Sequence, residues 1–240
     1  MNLRNIIIAV VVIAIVAVGG YFGYLYYIGS SDNTSQDIEE VAEQIEDAGE
    51  GTLFRIVSDE SEASFTLDED LAGVRTTVVG TTSQVGGDII FNFTTPAESE
   101  VGTITINARS LQTDNNFRNG ALQDRILRSR QDEYEFITFV PTALNGLPET
   151  ITVGETYTFD IVGDLTVIDA TNEVTFNAEV TVVSETEISG TATTTIAYGD
   201  WDIPVPTAPS VANVEEEVDL AISFVAREVD ESAAAEATEE

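Results

Sequence analysis

Four of the chain's nine basic residues, Arg118, Arg125, Arg128 and Arg130, stand together inside the stretch 113–131. Guanidinium groups fork onto carboxylates and phosphates. In an otherwise anionic chain such a cluster reads in one of two ways: as an anion or lipid-headgroup contact, or as ion pairs that fasten a local helix to neighbouring carboxylates. Arg118 and Arg125 are the candidates for a headgroup contact. Asp114 with Arg118, and Asp124 with Arg128, place opposite charges four residues apart and predict one helix or two short ones here.

Most other chemistry is closed to this composition. The chain has no His and no Cys, and its basic residues are all Arg. That removes Ser-His-Asp and Cys-His nucleophiles, Ser-Lys dyads, Schiff-base cofactors and zinc sites built from His or Cys. Its 43 Asp and Glu residues contain carboxylate pairs by sheer number, so a pair suited to glycoside hydrolysis carries no weight. No stretch follows the D-x-[DN]-x-[DN]-G calcium loop. No catalytic residue, metal site or cofactor is expected. The formal net charge of −34 opposes nucleic-acid binding and suits a soluble surface in salty surroundings, where screening weakens self-repulsion.

The elements that must position these residues are strands. Val174, Phe176, Ala178, Val180 and Val182 alternate with mostly polar neighbours, the period of a half-buried antiparallel strand. The same alternation recurs at Ile89, Phe91 and Phe93; at Ile104, Ile106 and Ala108; at Tyr157, Phe159 and Ile161; and at Val218, Leu220, Ile222, Phe224 and Ala226. Thr is abundant on the opposite faces, and Gly86-Gly87, Asn145-Gly146 and Gly199-Asp200 punctuate the runs as turns. About eight such strands close into a barrel whose interior takes side chains or one small ligand, with a two-sheet sandwich as the rival. Trp201 with Pro204, Pro206 and Pro209 marks a bend, read as a rim or lid or as a plain connection.

Two attachments flank the barrel. Residues 6–28 contain no charge, long enough for a helix to cross a bilayer, and Tyr21, Phe22, Tyr24, Tyr26 and Tyr27 suit the interface. With Arg4 before the span and Asp32, Asp37, Glu39 and Glu40 after it, the amino terminus is expected in the cytoplasm and the bulk outside. This gives an uncleaved single-pass anchor over residues 1–28, an acidic flexible linker over 29–51, the β-domain over 52–229 and a frayed acidic tail over 230–240. Within the linker, Ile38, Val41, Ile45 and Ala48 recur at helical spacing, leaving a short surface helix and a disordered spacer both open.

The order of features also resembles a known family. Phe54-Arg55-Ile56, then Ser61-Glu62-Ala63-Ser64-Phe65, then Val79-Gly80-Thr81 and Val85-Gly86-Gly87-Asp88-Ile89 follow its first strands and hairpin. Ala108-Arg109-Ser110-Leu111-Gln112-Thr113-Asp114 leads to Arg118-Asn119, Ile126-Leu127 and Phe136-Ile137-Thr138-Phe139, and later come Gly163-Asp164-Leu165-Thr166-Val167 and Gly199-Asp200-Trp201-Asp202-Ile203-Pro204. Over residues 53–228 the set is similar to the YceI-like family of polyisoprenoid- or lipid-binding proteins. Asn119 departs from it, since Asp is usual after the Arg, as does the absence of His.

The resemblance implies an elongated antiparallel lipocalin-like β-barrel with a short helical insertion, holding a long isoprenoid or fatty chain. Phe91, Phe93, Ile104, Ile106, Phe176, Val180, Ile222 and Phe224 are the candidate lining. Alternation alone leaves two readings for them, a lipid tunnel or the filled core of a non-enzymatic surface interaction module. The expected partners are an apolar lipid and the membrane.

Overall fold

The computed structural model describes residues 35–45, 48–205, 208 and 210–229. The apolar stretch 6–28, residues 29–34 of the linker and the tail 230–240 lie outside the described residues. Among the described residues, no helix is long and apolar enough to cross a membrane.

The strands are β1 (Thr52–Ile56), β2 (Glu62–Leu71), β3 (Val74–Thr82), β4 (Val85–Gly86), β5 (Asp88–Phe91), β6 (Glu100–Val101) and β7 (Ile104–Asn107). They continue as β8 (Phe136–Asn145), β9 (Thr156–Val167), β10 (Ala170–Ser184), β11 (Glu187–Ala197), β12 (Val211–Ala212) and β13 (Glu217–Glu228). All belong to one curled antiparallel sheet. The long strands β2, β3, β8, β9, β10, β11 and β13 carry most of the wall, and the rest are short pieces joined by turns.

β4 and β5 are one run of chain broken only at Gly87. β4 pairs with β7 and β5 with β1, so the ladder through β8, β9, β10, β11 and β13 returns to its start at this end. Gly87, at φ 155°, is what the junction needs: a Cβ there would lie 2.8 Å from the Thr103 carbonyl, and its own carbonyl accepts from the Ile56 N–H at 3.0 Å. This closed end is the lower half of the barrel.

Towards the other end β13 leaves β1 and pairs with β2, which pairs with β3. β3 meets the chain beyond β7 through one backbone bridge, Thr81 to Gln112, and a hydroxyl pair, Thr82 with Ser110. In this upper half the segment after β7, and not another strand, covers the opening. It contains helix α2 (Asn116–Ala121) and a π-helical turn over Leu122–Ile126. Asn115 caps α2 by accepting from the Phe117 and Arg118 N–H groups.

Period-two burial holds best on β10, where Val174, Phe176, Ala178, Val180 and Val182 are buried. Their neighbours face out, and Thr hydroxyls pair across strands at Thr156 with Thr181 and at Thr166 with Thr171, each at 2.8 Å. It fails on β5, where all four residues are buried. The reason is a second cover on the outside. Helix α1 (Ile38–Val41), capped by Asp37, buries Ile38 completely beside Gly86, and the Ile45 N–H donates to Asp88 at 2.8 Å. These residues fall in the range read from the sequence as linker. Arg55 forks onto the same Asp88 at 2.8 Å, and that bond holds its guanidinium above its ordinary value against the pull of burial.

With 43 acidic against nine basic residues, self-repulsion opposes the compact state. The midpoint of thermal unfolding is therefore expected to rise as sodium chloride takes the Debye length from about 30 Å to about 3 Å. A melting curve that is flat or falling with salt contradicts this.

Candidate functional site

Among the described residues, a space lies inside the barrel in each half. The lower holds about 60 Å³, room for little more than a water or two, and is walled entirely by apolar side chains. Phe54, Phe91 and Phe93 pack there ring on ring, with Phe91 and Phe93 edge to face at 5.0 Å. The upper holds about 520 Å³, within the range of sites for small organic ligands.

The upper cavity draws its wall from all the long strands, from the cover and from the segment after Trp201. Strand β2 contributes Phe65, Leu67 and Leu71 at every second residue, and Glu69 stands in the same row. Leu165 and Val167 come from β9, Ile196 from β11, and Val218, Leu220 and Ile222 from β13. The cover supplies Leu111, Leu122, Ile126 and Leu127, with Leu122 and Ile126 one helical turn apart so that both face inward. The segment after Trp201 supplies Ile203, Val205, Ala208 and Val211 to the rim, while Pro206 and Pro209 lie outside the described residues. Trp201, buried, donates its indole N–H to the Leu165 carbonyl at 3.0 Å and fixes where that rim begins. Phe117, at 92% exposure, also borders the cavity.

The candidate lining residues divide between the two spaces. Ile106, Phe176 and Ile222 line the large cavity. Phe91, Ile104, Val180 and Phe224 line the small one, together with the same Phe176 and Ile222. Phe93 lines neither and packs on Phe54 and Phe91. Reasoning from the sequence missed Phe139, which lines both spaces, and the row on β2. The alternation of Phe65, Leu67 and Leu71 around an acidic residue is the signal that marks that row.

The arginine cluster resolves largely into ion pairs. Arg118 lines the large cavity and bonds Glu69 at 2.8 Å and Asp114 at 2.7 Å. Arg125 is exposed and lies outside the lining. The Asp124 to Arg128 helical pair is replaced by Asp124 with Arg130 at 2.8 Å. Helical structure ends at Ile126, and Arg128 turns into the left-handed region at φ 53°, where it meets Asp169 at 2.9 Å and lies over the Tyr134 ring. Among the described residues, no group of three or more Asp or Glu is arranged to hold a metal ion.

Deeper in, Arg109 is buried and bonds the Ser129 carbonyl at 2.7 Å, Asp132 at 2.9 Å and Glu135 at 3.1 Å. Glu135 is also fully buried and accepts from Asn107 and from the Gln36 backbone N–H.

Replacing Glu69 by Ala leaves Arg118 facing an apolar cavity with only its exposed Asp114 partner. The expected cost is about 1–3 kcal/mol in chemical denaturation. A change under a few tenths shows that the pair does not fasten the cover.

Comparison with known proteins agrees with this geometry. The family model for the YceI-like domain matches residues 54–226. Among solved structures, a polyisoprenoid binding domain from Saccharophagus degradans, implicated in plant cell wall breakdown, is 14% identical at a TM-score of 0.54, covering 75% of this chain and 99% of that one. BcnA of Burkholderia cenocepacia is 16% identical at a TM-score of 0.55, covering 71% and 98%. At those identities the likeness is one of fold. No curated protein matches the chain. The match to the family model takes in most of the sequence and all the principal strands of the barrel, and the chain therefore belongs to the YceI-like domain family.

Proposed function

We propose that this protein is a membrane-anchored, extracytoplasmic lipid-binding protein that holds an isoprenoid or similar apolar chain inside its barrel. The observation that carries the reading is the cavity of about 520 Å³, lined mostly by aliphatic and aromatic side chains. A space of that size with so apolar a wall gives water few partners, and burying an apolar chain there yields roughly 0.8 kcal/mol per methylene. The polyisoprenoid binding of the Saccharophagus degradans domain, on the same fold, supports an isoprenoid as the chain. Phe117 and Val205 at the rim offer an apolar path to a chain leaving a bilayer.

The anchor rests on the sequence: an uncharged run over residues 6–28, Arg4 before it and acidic residues after it. It places the barrel outside the membrane, tethered close to a source of lipid. The role is binding: the carboxylate and the guanidinium in the cavity wall, Glu69 and Arg118, are bonded to each other at 2.8 Å, and a chain without His, Cys or Lys has few groups to activate a nucleophile. A filled-core interaction module is the second reading, and the close-packed lower half favours it for that half alone.

Native mass spectrometry with solvent extraction of the chain, purified from its native source, tests the reading. A stoichiometric prenyl or acyl lipid is expected. A chain that is lipid-free and takes up no added isoprenoid overturns it in favour of the interaction module. For the anchor, protease added outside sealed cells is expected to remove the barrel, and full protection of the barrel contradicts the orientation.

A further inference from the structure

The large cavity stops abruptly. Phe139, Phe176 and Ile222 line both spaces and so form the partition between them. The two rings meet edge to face at 4.9 Å. Phe139 is seated against Gly163 on the neighbouring strand, where a Cβ would lie 2.7 Å from its ring, so the backbone there is stripped of a side chain to let the ring lie flat on it. Both rings are almost wholly buried in the closed half of the sheet. Below them only about 60 Å³ remains.

The available length follows from the volume. A methylene group fills about as much liquid volume as a water molecule, roughly 30 Å³, so 520 Å³ takes on the order of fifteen to twenty carbons, three or four isoprene units. The chemistry of the head follows from the charges. Among the described residues, the wall holds one carboxylate, Glu69, and one guanidinium, Arg118, and they neutralise each other at 2.8 Å. Arg118 spends its other arm on Asp114. An anionic head would have to break these bonds inside a chain of net charge −34. The other polar groups at the wall, Asn115, Ser64, Ser210 and Tyr198, suit an uncharged hydroxyl or carbonyl.

We propose that the cavity selects a single uncharged prenyl chain of about three to four isoprene units, with Phe139 and Phe176 as the stop that sets its length. This rests on the lipid-binding reading above and sharpens it.

The chain's one tryptophan supplies the readout, since Trp201 is bonded to the Leu165 carbonyl in the cavity wall. The full chain in nanodiscs is titrated with geraniol, farnesol, geranylgeraniol and solanesol carried on cyclodextrin, and with farnesyl diphosphate, following Trp201 fluorescence. Affinity is expected to rise to farnesol or geranylgeraniol, and to fall at least tenfold for solanesol and for the diphosphate. Phe139→Ala and the milder Phe139→Leu open the space of about 60 Å³ below the ring and part of the ring's own volume, room for about one more isoprene unit. They are expected to tighten binding of the five-unit alcohol geranylfarnesol at least tenfold while solanesol stays excluded, and a folded variant with no gain for geranylfarnesol overturns the stop. Solanesol bound as tightly as geranylgeraniol by the unaltered chain overturns the stop, and the diphosphate bound as tightly as farnesol overturns the neutral head. Where the variants fail to fold, the series on the unaltered chain decides. Binding without a length limit leaves the lipid-binding reading standing, whereas no binding at any length removes that reading as well.

Discussion

A buried guanidinium holds the cover onto the barrel. Arg109 leaves the end of β7, and its three nitrogens reach the Ser129 carbonyl, Asp132 and the fully buried Glu135. A charge out of water is tolerable only when it is paired and hydrogen-bonded, and here each of the three nitrogens has an oxygen partner. The pair joins the two ends of an excursion that departs after β7 and returns at β8, so the intervening helix and π turn lie across the upper half without a strand of their own to pair with. Glu135 also receives the Gln36 N–H, which ties the outer strap formed by α1 to the same node. Cover, barrel wall and strap thus share one electrostatic anchor.

That arrangement lets two kinds of interior coexist in one sheet. Where the ladder closes, Phe54, Phe91, Phe93 and Phe159 crowd the axis and leave almost no space. Where the cover replaces strands, the wall is mainly Leu, Ile and Val, too short to meet across the gap, and the cavity remains.

The wall was legible in the sequence, and its two interiors were not. β10 shows its inward row directly, because each of its inward residues is apolar and both neighbouring strands are long. Phe91 and Ile106 carry the same alternation, yet one faces the packed half and the other the cavity. The difference depends on the register of β4 and β5 against β7 and β1 across a glycine, a pairing between distant segments that local periodicity does not encode. The helical spacing of Ile38 and Val41 was visible, but its docking on β4 and β5 depends on Asp88 and Gly86, far along the chain. Glu69 was the most informative residue passed over, an acid in an inward row that makes sense only opposite Arg118. Asp124 misled because its i, i+4 partner lies beyond the point where the helix unwinds.

The division into a packed and a hollow half means that the molecule does not have one local stability. The closed half, with its packed rings and returning ladder, is expected to set the free energy of global unfolding, while the roofed half, built around a cavity of about 520 Å³, is expected to open at lower cost. An occupant of the cavity would add its binding energy to the roofed half alone, levelling the two. Amide protection along β9, β10 and β13, whose lengths span both halves, would then record as a gradient whether the cavity is full.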